Sequence, residues 1–282
     1  MSTQHYALIG HPLGHTMSPP IHKRLFELSG NLDADYIAQD IPLEKFDDVA
    51  DQLFQLNGFN ITIPYKIKML RHLDQLDLSA KRYGAVNVVK CGEKNIGYNT
   101  DVTGFLRSIE MLGTDLTGKV LLLGCGGAGR MMAIETALAG GDLTIAVRES
   151  SYEKAENTYN NIKLLSPESS VHITSLQAVT GKYDLILNAT PSGMYPHNDE
   201  CPVSPEVAGN TAFLFDAIYN PRETQLMKLA KANGAKVMGG MNMLVWQAAV
   251  SHEIWENVRY SKQDIQALVA EMEEMVTAQF GD

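Results

Sequence analysis

The chain has 282 residues, 45% of them apolar and 20% charged, and a net charge of −10. That length accommodates two domains of ordinary size, and the balance is that of a globular protein with a sizeable core. The acidic composition speaks against a nucleic-acid or anionic-membrane partner, and no stretch approaches the ~18–20 apolar residues of a membrane span.

At the N-terminus, Met1–Tyr6 lacks the basic-then-apolar layout of a signal peptide. Tyr6–Ile9 reads as a short buried strand ending at Gly10. Pro19–Leu28 reads as a helix, with Ser18 expected at its N-cap and Pro19 in its first turn. Tyr36–Ile41 is a second strand, and Glu44–Leu56 has helical spacing with Phe46, Val49, Leu53 and Leu56 on one face. Phe59–Ile63 is a third strand, closed by Pro64, and Val86–Val89 with Ile96–Tyr98 forms a strand pair around Gly92. This alternation predicts a mostly parallel sheet. A second unit begins near Thr103. It runs through the apolar strand Val120–Leu123, a helix from about Arg130 to Leu138, and the strand Leu143–Val147. The helix Tyr152–Leu165 follows, then strands at Val171–Thr174, Asp184–Leu187 and Phe213–Phe215. That succession predicts a doubly wound dinucleotide fold. From about Gly239 the pattern turns helical: Met241–Glu253, then Asp264–Phe280 after the cap Ser261.

Gly124-Cys125-Gly126-Gly127-Ala128-Gly129 follows an apolar strand and opens a helix. Glycines there let backbone amides approach a pyrophosphate at a helix N-terminus, whose dipole favours an anion. A tight turn with close helix–sheet packing would account for the same glycines without a ligand. The end of the next strand chooses the nicotinamide cofactor: an acid binds the ribose 2′-hydroxyl, an arginine accepts a 2′-phosphate. Here Arg148 can pair with a phosphate and Ser150 or Ser151 can donate to one, while Glu149 would repel it. The residues lean to NADP and leave NAD open.

Eight blocks in order carry a resemblance. They are Gly10-His11-Pro12-Leu13-Gly14-His15-Thr16-Met17-Ser18-Pro19, Asn60-Ile61-Thr62-Ile63-Pro64-Tyr65-Lys66, Gly84-Ala85-Val86-Asn87, and Asn99-Thr100-Asp101 with Gly104. The glycine turn follows, then Asn188-Ala189-Thr190-Pro191-Ser192-Gly193-Met194, Asp216-Ala217-Ile218-Tyr219-Asn220-Pro221 with Thr224, and Gly240-Met241-Asn242-Met243-Leu244 with Gln247. The chain resembles the shikimate and quinate/shikimate dehydrogenases almost end to end. It departs from them at Thr16, where Ser is usual, at Lys23, at Val88, at Gly129, where Ala or Ser is common, and at Val147 and Glu149 beside the arginine.

The resemblance implies NADP-dependent interconversion of 3-dehydroshikimate and shikimate, a step toward chorismate and the aromatic amino acids. Thr16 and Ser18 are then expected to bind the substrate carboxylate near a helix N-terminus. Reducing a ketone takes a hydride at carbon and a proton at oxygen. Lys66 is read as the principal acid/base and Asp101 as its partner, with the proton's owner left open between them. Asn60, Thr62, Asn87, Thr100 and Gln247 are expected to bind ring hydroxyls or to organise that pair. Asn188, Ala189 and Thr190 are expected to line the cofactor. Ile218, Tyr219 and Gly240 should frame the nicotinamide, Tyr219 also reaching the substrate. His11, His15 and His22 cluster without metal-ligand spacing, and no cofactor beyond the nicotinamide is implied.

The expected architecture is α/β. Residues 1–102 form a substrate domain on which 239–282 packs back, and 103–238 form a Rossmann-type dinucleotide-binding domain. The expected partner is a small molecule, without nucleic acid or membrane, and a homodimer is left open. Cys91, Cys125 and Cys201 form no even-numbered framework, which points to a reducing, cytoplasmic setting. Three other functions compete. An NAD-preferring quinate/shikimate dehydrogenase is kept open by Thr16 and Glu149. A methylenetetrahydrofolate-type dehydrogenase is opposed by Thr16, Ser18 and Gln247. A non-catalytic nicotinamide sensor is opposed by the Lys66/Asp101 pair.

Overall fold

The computed structural model describes residues 3–14 and 16–281; His15, one of the three N-terminal histidines, lies outside the described residues. The chain divides into two compact units, Met1–Gly104 with Leu244–Met272, and Phe105–Met243 with Glu273–Asp282.

The first unit contains β1 (Gln4–Gly10), α1 (Ser18–Ser29), β2 (Ala34–Asp40), α2 (Phe46–Leu53), β3 (Gly58–Ile61) and α3 (Tyr65–Lys68). It continues with β4 (Gln75–Leu76), α4 (Leu78–Tyr83), β5 (Val88–Lys90) and β6 (Ile96–Tyr98), after which α5 (Asp101–Leu112) begins. The strands make one sheet in the order β2-β1-β3-β5-β6-β4. Three of its five pairings are parallel and the two made by β5 are antiparallel. Apolar β3 is buried along its whole length, and its Phe59 and Ile61 join Ala7, Ile9, Phe46, Tyr65 and Met69 in one core.

The second unit contains β7 (Lys119–Leu123), α6 (Gly127–Leu138), β8 (Asp142–Val147), α7 (Tyr152–Leu165) and β9 (Val171–Ser175). β10 (Tyr183–Asn188), α8 (Pro205–Ala208), β11 (Thr211–Asp216), α9 (Gln225–Ala232) and β12 (Lys236–Met238) complete it. Its sheet runs β12-β11-β10-β7-β8-β9, every pairing parallel. This is the doubly wound order whose direction reverses between the first and fourth strands, here β7 and β10, and ligands bind beyond the carboxyl ends at that reversal. The last helices are α10 (Met241–Glu256) and α11 (Lys262–Phe280), the latter capped as expected by Ser261, whose Oγ accepts from the Asp264 amide at 3.1 Å. No described helix is long and apolar enough to cross a membrane.

Several boundaries differ from the sequence reading. Ser18 does not cap α1: the helix starts at Ser18, Met17 holds the cap position, and no side-chain cap bond forms. The helix expected over 44–56 is confined to α2, after a 3-10 turn at Leu43–Lys45. α6 starts at Gly127 rather than near Arg130, because the glycine turn leads directly into it. The brief elements α3, β4, α4, α8 and β12 are too short to show a period. α5 escapes notice because its first residues belong to the polar Asn99-Thr100-Asp101 block.

Candidate active site

Lys66 is placed by the residue before it. Tyr65 is fully buried, its ring stacks on Phe46 at 4.1 Å between centroids, and its hydroxyl donates to the Ile41 carbonyl. Burying an aromatic ring of this kind stabilises by roughly 2–3 kcal/mol, which fixes the α3 turn against the core. The Lys66 carbonyl accepts from the Val86 amide at 2.9 Å, tying the turn to the strand-pair side of the sheet. The Lys66 side chain thus leaves a rigid base and donates to Asp101 Oδ2 at 2.6 Å. The two side chains keep 30% and 24% of their surface exposed, so a ligand can reach the pair.

Asp101 opens α5, where the helix dipole favours a carboxylate. Its amide donates to Asn99 Oδ1 at 3.2 Å, and Asn99 Nδ2 donates to the Ala85 carbonyl at 3.1 Å. The hub is Asn87, a buried amide. Its Oδ1 accepts from the Thr100 amide at 2.7 Å, and its Nδ2 faces Asp101 Oδ1 at 2.8 Å, Thr100 Oγ1 at 3.0 Å and Gln247 Oε1 at 3.4 Å. An amide nitrogen has only two hydrogens. Gln247 Oε1, the most distant of the three acceptors, makes the longest and weakest of these contacts. Asn60 extends the network. It accepts from the Tyr36 hydroxyl at 2.8 Å and donates to Ser251 Oγ at 3.0 Å and to the Asn87 carbonyl at 3.3 Å.

The structure thus joins Lys66, Asp101, Asn87, Thr100, Gln247 and Asn60 into one hydrogen-bonded set. Thr62 is not in it: its amide donates to the Ile9 carbonyl at 2.8 Å and its methyl group lies against Gly10. Thr16 and Ser18 are neighbours in the same unit, Thr16 Oγ1 accepting from the Ser18 amide at 3.2 Å. Ser18 is buried at the first turn of α1, beside that helix N-terminus. Asp40, to which the sequence assigns no role, pins the segment after β1: Oδ1 meets His11 Nδ1 at 2.6 Å and Oδ2 accepts from the Leu13 amide at 2.7 Å. Those two hydrogen bonds hold its carboxyl below the usual carboxylate range. Nothing in the Asp40 sequence context singles it out.

In the second unit the glycines divide into two kinds. Gly124 has φ +88° and Gly129 lies so close to it that a Cβ at 129 would stand 2.4 Å from the Gly124 carbonyl oxygen. A Cβ at Gly126 or Gly127 would meet nothing within 4 Å. The outer glycines therefore close the turn, and the inner ones leave an open approach to the N-terminus of α6, as a pyrophosphate requires. Ala128 is exposed on the same turn, and Arg148, Glu149 and Ser150 are exposed at the end of β8.

At the end of β10, Asn188 Oδ1 accepts from the Thr190 amide at 3.0 Å and from its hydroxyl at 2.7 Å, and the Ala189 amide donates back to the Leu123 carbonyl at 2.8 Å. Asn188 Nδ2 donates to Asp216 Oδ1 at 2.9 Å. Asp216 also accepts from the Ile218 amide at 3.0 Å and the Thr224 hydroxyl at 2.8 Å. It is fully buried, and burial outweighs these three bonds, raising its pKa to about 6. The sequence assigns Asp216 no role; an acid ending an apolar strand with Thr eight residues on is the available signal. Gly240 donates to the Ile218 carbonyl at 2.9 Å, and a Cβ there would lie 2.1 Å from the Ala217 carbonyl oxygen. Ile218 and Gly240 are thus adjacent. Tyr219 sits beside them in this unit, its hydroxyl pKa raised by burial.

An all-parallel doubly wound sheet with an open glycine turn, joined in one chain to a unit bearing a lysine–carboxylate pair, defines a nicotinamide-dependent oxidoreductase with a separate substrate unit. Residues 8–89 match the family described as the shikimate dehydrogenase substrate binding domain. A shikimate dehydrogenase (NADP+) of Methanococcus maripaludis is 39% identical over 263 residues, 91% of this chain and 93% of the relative. The crystal structure of shikimate 5-dehydrogenase from Thermus thermophilus, in complex with NADP(H) and shikimate, matches with TM-score 0.83 and 30% identity over 95% of this chain and 99% of that one. A 5-ketofructose reductase of Gluconobacter matches with TM-score 0.78 and 31% identity over 96% and 99%. The chain belongs to the shikimate dehydrogenase family.

Proposed function

We propose that this chain reversibly reduces 3-dehydroshikimate to shikimate with NADPH, in the biosynthesis of chorismate and the aromatic amino acids. The observation that carries the reading is the half-exposed Lys66–Asp101 pair, 2.6 Å apart and held by otherwise buried amides. The first unit, with residues 244–272, would be the substrate domain, and the second would hold the nucleotide.

The bound nicotinamide supplies the hydride. The chain supplies the proton: Lys66 Nζ–H donates to the ketone oxygen as it becomes an alcohol, and takes the proton back in the oxidative direction. Asp101 accepts from Nζ and aims it, while Asn87, itself held by Thr100, fixes the carboxylate. Gln247 and Asn60 offer hydrogen bonds to ring hydroxyls, and Thr16 and Ser18 to the carboxylate. The open glycine turn takes the pyrophosphate, Asn188, Ala189 and Thr190 line the cofactor, and Arg148 meets the 2′-phosphate. Ile218, Gly240 and Tyr219 flank the nicotinamide. Cys91, Cys125 and Cys201 are all free thiols, in keeping with a reducing, cytoplasmic setting.

Exposed Glu149 beside Arg148 favours a second reading, an NAD-preferring enzyme that also accepts quinate. Initial rates with shikimate and quinate against NADP and NAD in all four combinations, and with 5-ketofructose as an added ketone, decide among these. Turnover of shikimate with NADP above all other pairs is expected. Preference for NAD would replace the cofactor assignment, preference for 5-ketofructose the substrate, and no turnover at all would leave a nicotinamide-binding module.

A further inference from the structure

We infer that Glu256, His252 and His22 form a buried, tautomer-locked relay that positions the two helices carrying Ser18 and Gln247. The inference rests on the proposed shikimate site for its consequence, though not for its geometry. His22 Nδ1 lies 3.0 Å from His252 Nε2, and His252 Nδ1 lies 3.0 Å from Glu256 Oε2. Both imidazoles are fully buried, and the Glu256 side chain keeps 10% exposure. Asn31 Nδ2 donates to the other Glu256 oxygen, which holds the carboxylate in place.

The proton positions follow in sequence. An ionised carboxylate only accepts, so His252 carries its proton on Nδ1 and presents a lone pair at Nε2. His22 must then donate from its own Nδ1. Burial pushes both imidazole pKa values down, which keeps the rings neutral and the order intact. Both histidines are thus Nδ1–H tautomers, the opposite of the form a free histidine side chain prefers. Apolar side chains could fill this space without the cost of burying three polar groups. What they could not do is fix one register between two helices.

That register matters because of what each helix carries. His22 is one turn after Ser18 on α1, on the same helix face. His252 is five residues after Gln247 on α10 and adjacent to Ser251, whose Oγ donates to the Gln247 carbonyl at 2.9 Å. The His22 ring also stacks on Tyr36 at 3.9 Å with 6° between the planes. The Tyr36 hydroxyl donates to Asn60 Oδ1, which turns the Asn60 Nδ2 group toward Ser251 and the Asn87 carbonyl. The relay thereby reaches the carboxylate-binding helix, the Gln247 helix and the amide hub together. None of its members is placed against substrate, so they are positioning residues.

Two measurements test this on the full chain. Long-range ¹H–¹⁵N correlation of the histidine side chains should show His22 and His252 both protonated at Nδ1; an Nε2–H form at either ring overturns the relay. In kinetics, His22→Phe keeps a ring against Tyr36 and removes the donor, whereas His22→Asn restores a donor at the Nδ1 position. His22→Phe should raise KM for shikimate about tenfold, the scale of the hydrogen bond from a displaced Ser18 to the substrate carboxylate, with kcat and KM for NADP near wild type. His22→Asn should recover most of that loss. A lowered melting temperature with KM for shikimate unchanged would mean a purely structural role and overturn the inference. Should His22→Phe fail to fold, Glu256→Leu removes the acceptor and carries the same expectation. Wild type without shikimate turnover would refute the proposed function instead, and the tautomers would still decide the relay.

Discussion

Asp216→Asn gives a quantitative test of the buried carboxylate beneath the cofactor-side loops. In the folded chain the Asp216 pKa is raised to about 6 from an ordinary 3.8, chiefly by burial and against three hydrogen bonds. Between those values the folded state holds a proton that the unfolded chain has released. The stability from this group is therefore complete below pH 3.8, declines as pH rises, and is lost above about 6. At ~1.4 kcal/mol for each tenfold change in proton affinity, the gap from 3.8 to about 6 amounts to about 3 kcal/mol. Two exposed carboxylates slope the opposite way: Asp40 is depressed by the His11 and Leu13 hydrogen bonds and Asp47 by Arg71, so the wild-type curve alone mixes both signs. Asparagine matches the protonated acid in shape and cancels only the Asp216 contribution. Urea unfolding of wild type and Asp216→Asn should be followed from about pH 4 to about pH 7.5. The stability of the variant relative to wild type should rise by about 3 kcal/mol across that range, whatever its constant offset. Parallel curves would show that Asp216 titrates alike folded and unfolded, and would sink the argument.

Three further expectations concern the proposed chemistry. Lys66→Ala should lower turnover by at least the ~10²-fold typical of a lost general acid/base, with NADP affinity by fluorescence titration unchanged; wild-type turnover would remove Lys66 from the mechanism. Ser18→Ala and Thr16→Ala should each weaken shikimate binding by ~1–2 kcal/mol while sparing NADP. Equal losses for both ligands would point to local collapse instead. Arg148→Ala should raise KM for NADP strongly and KM for NAD little, and Glu149→Thr should shift preference further toward NADP by removing a repulsion. If Glu149→Thr weakens NAD as well, Glu149 is accepting ribose hydroxyls and NAD is the natural cofactor.

The second unit was legible because its strands are short apolar runs buried on both faces and its turn chemistry is local. Strands β7, β8 and β10 and helix α7 all stand where periodicity and glycines put them. The parallel sheet order follows from that alternation. The first unit was less legible where elements are short: α3 spans only Tyr65–Lys68, and its place is set by Tyr65 docking on Phe46, a contact 19 positions apart that no local pattern announces. Ser18 looked like a cap because caps and ligand hydroxyls favour the same residue types before a helix; only the cap geometry separates the two. Lys66 and Asp101 were readable as a pair, and Asn87 as either a ligand of ring hydroxyls or an organiser of that pair; its bond to Asp101 shows the organising contact. Asp40 and the His22–His252 contact depend on partners 27 to 230 positions away, beyond any local signal.

The contact between Gly129 and the Gly124 carbonyl bears on how this chain can be engineered. Exchanging residues for those commonest among relatives is an established route to sturdier proteins. At position 129 any such exchange would add a Cβ that intrudes to 2.4 Å from a backbone oxygen. Backbone cannot step aside as a flexible side chain can, so the glycine turn would have to open. A side chain there acts as a wedge, and a variant library for this chain does best to hold position 129 at glycine.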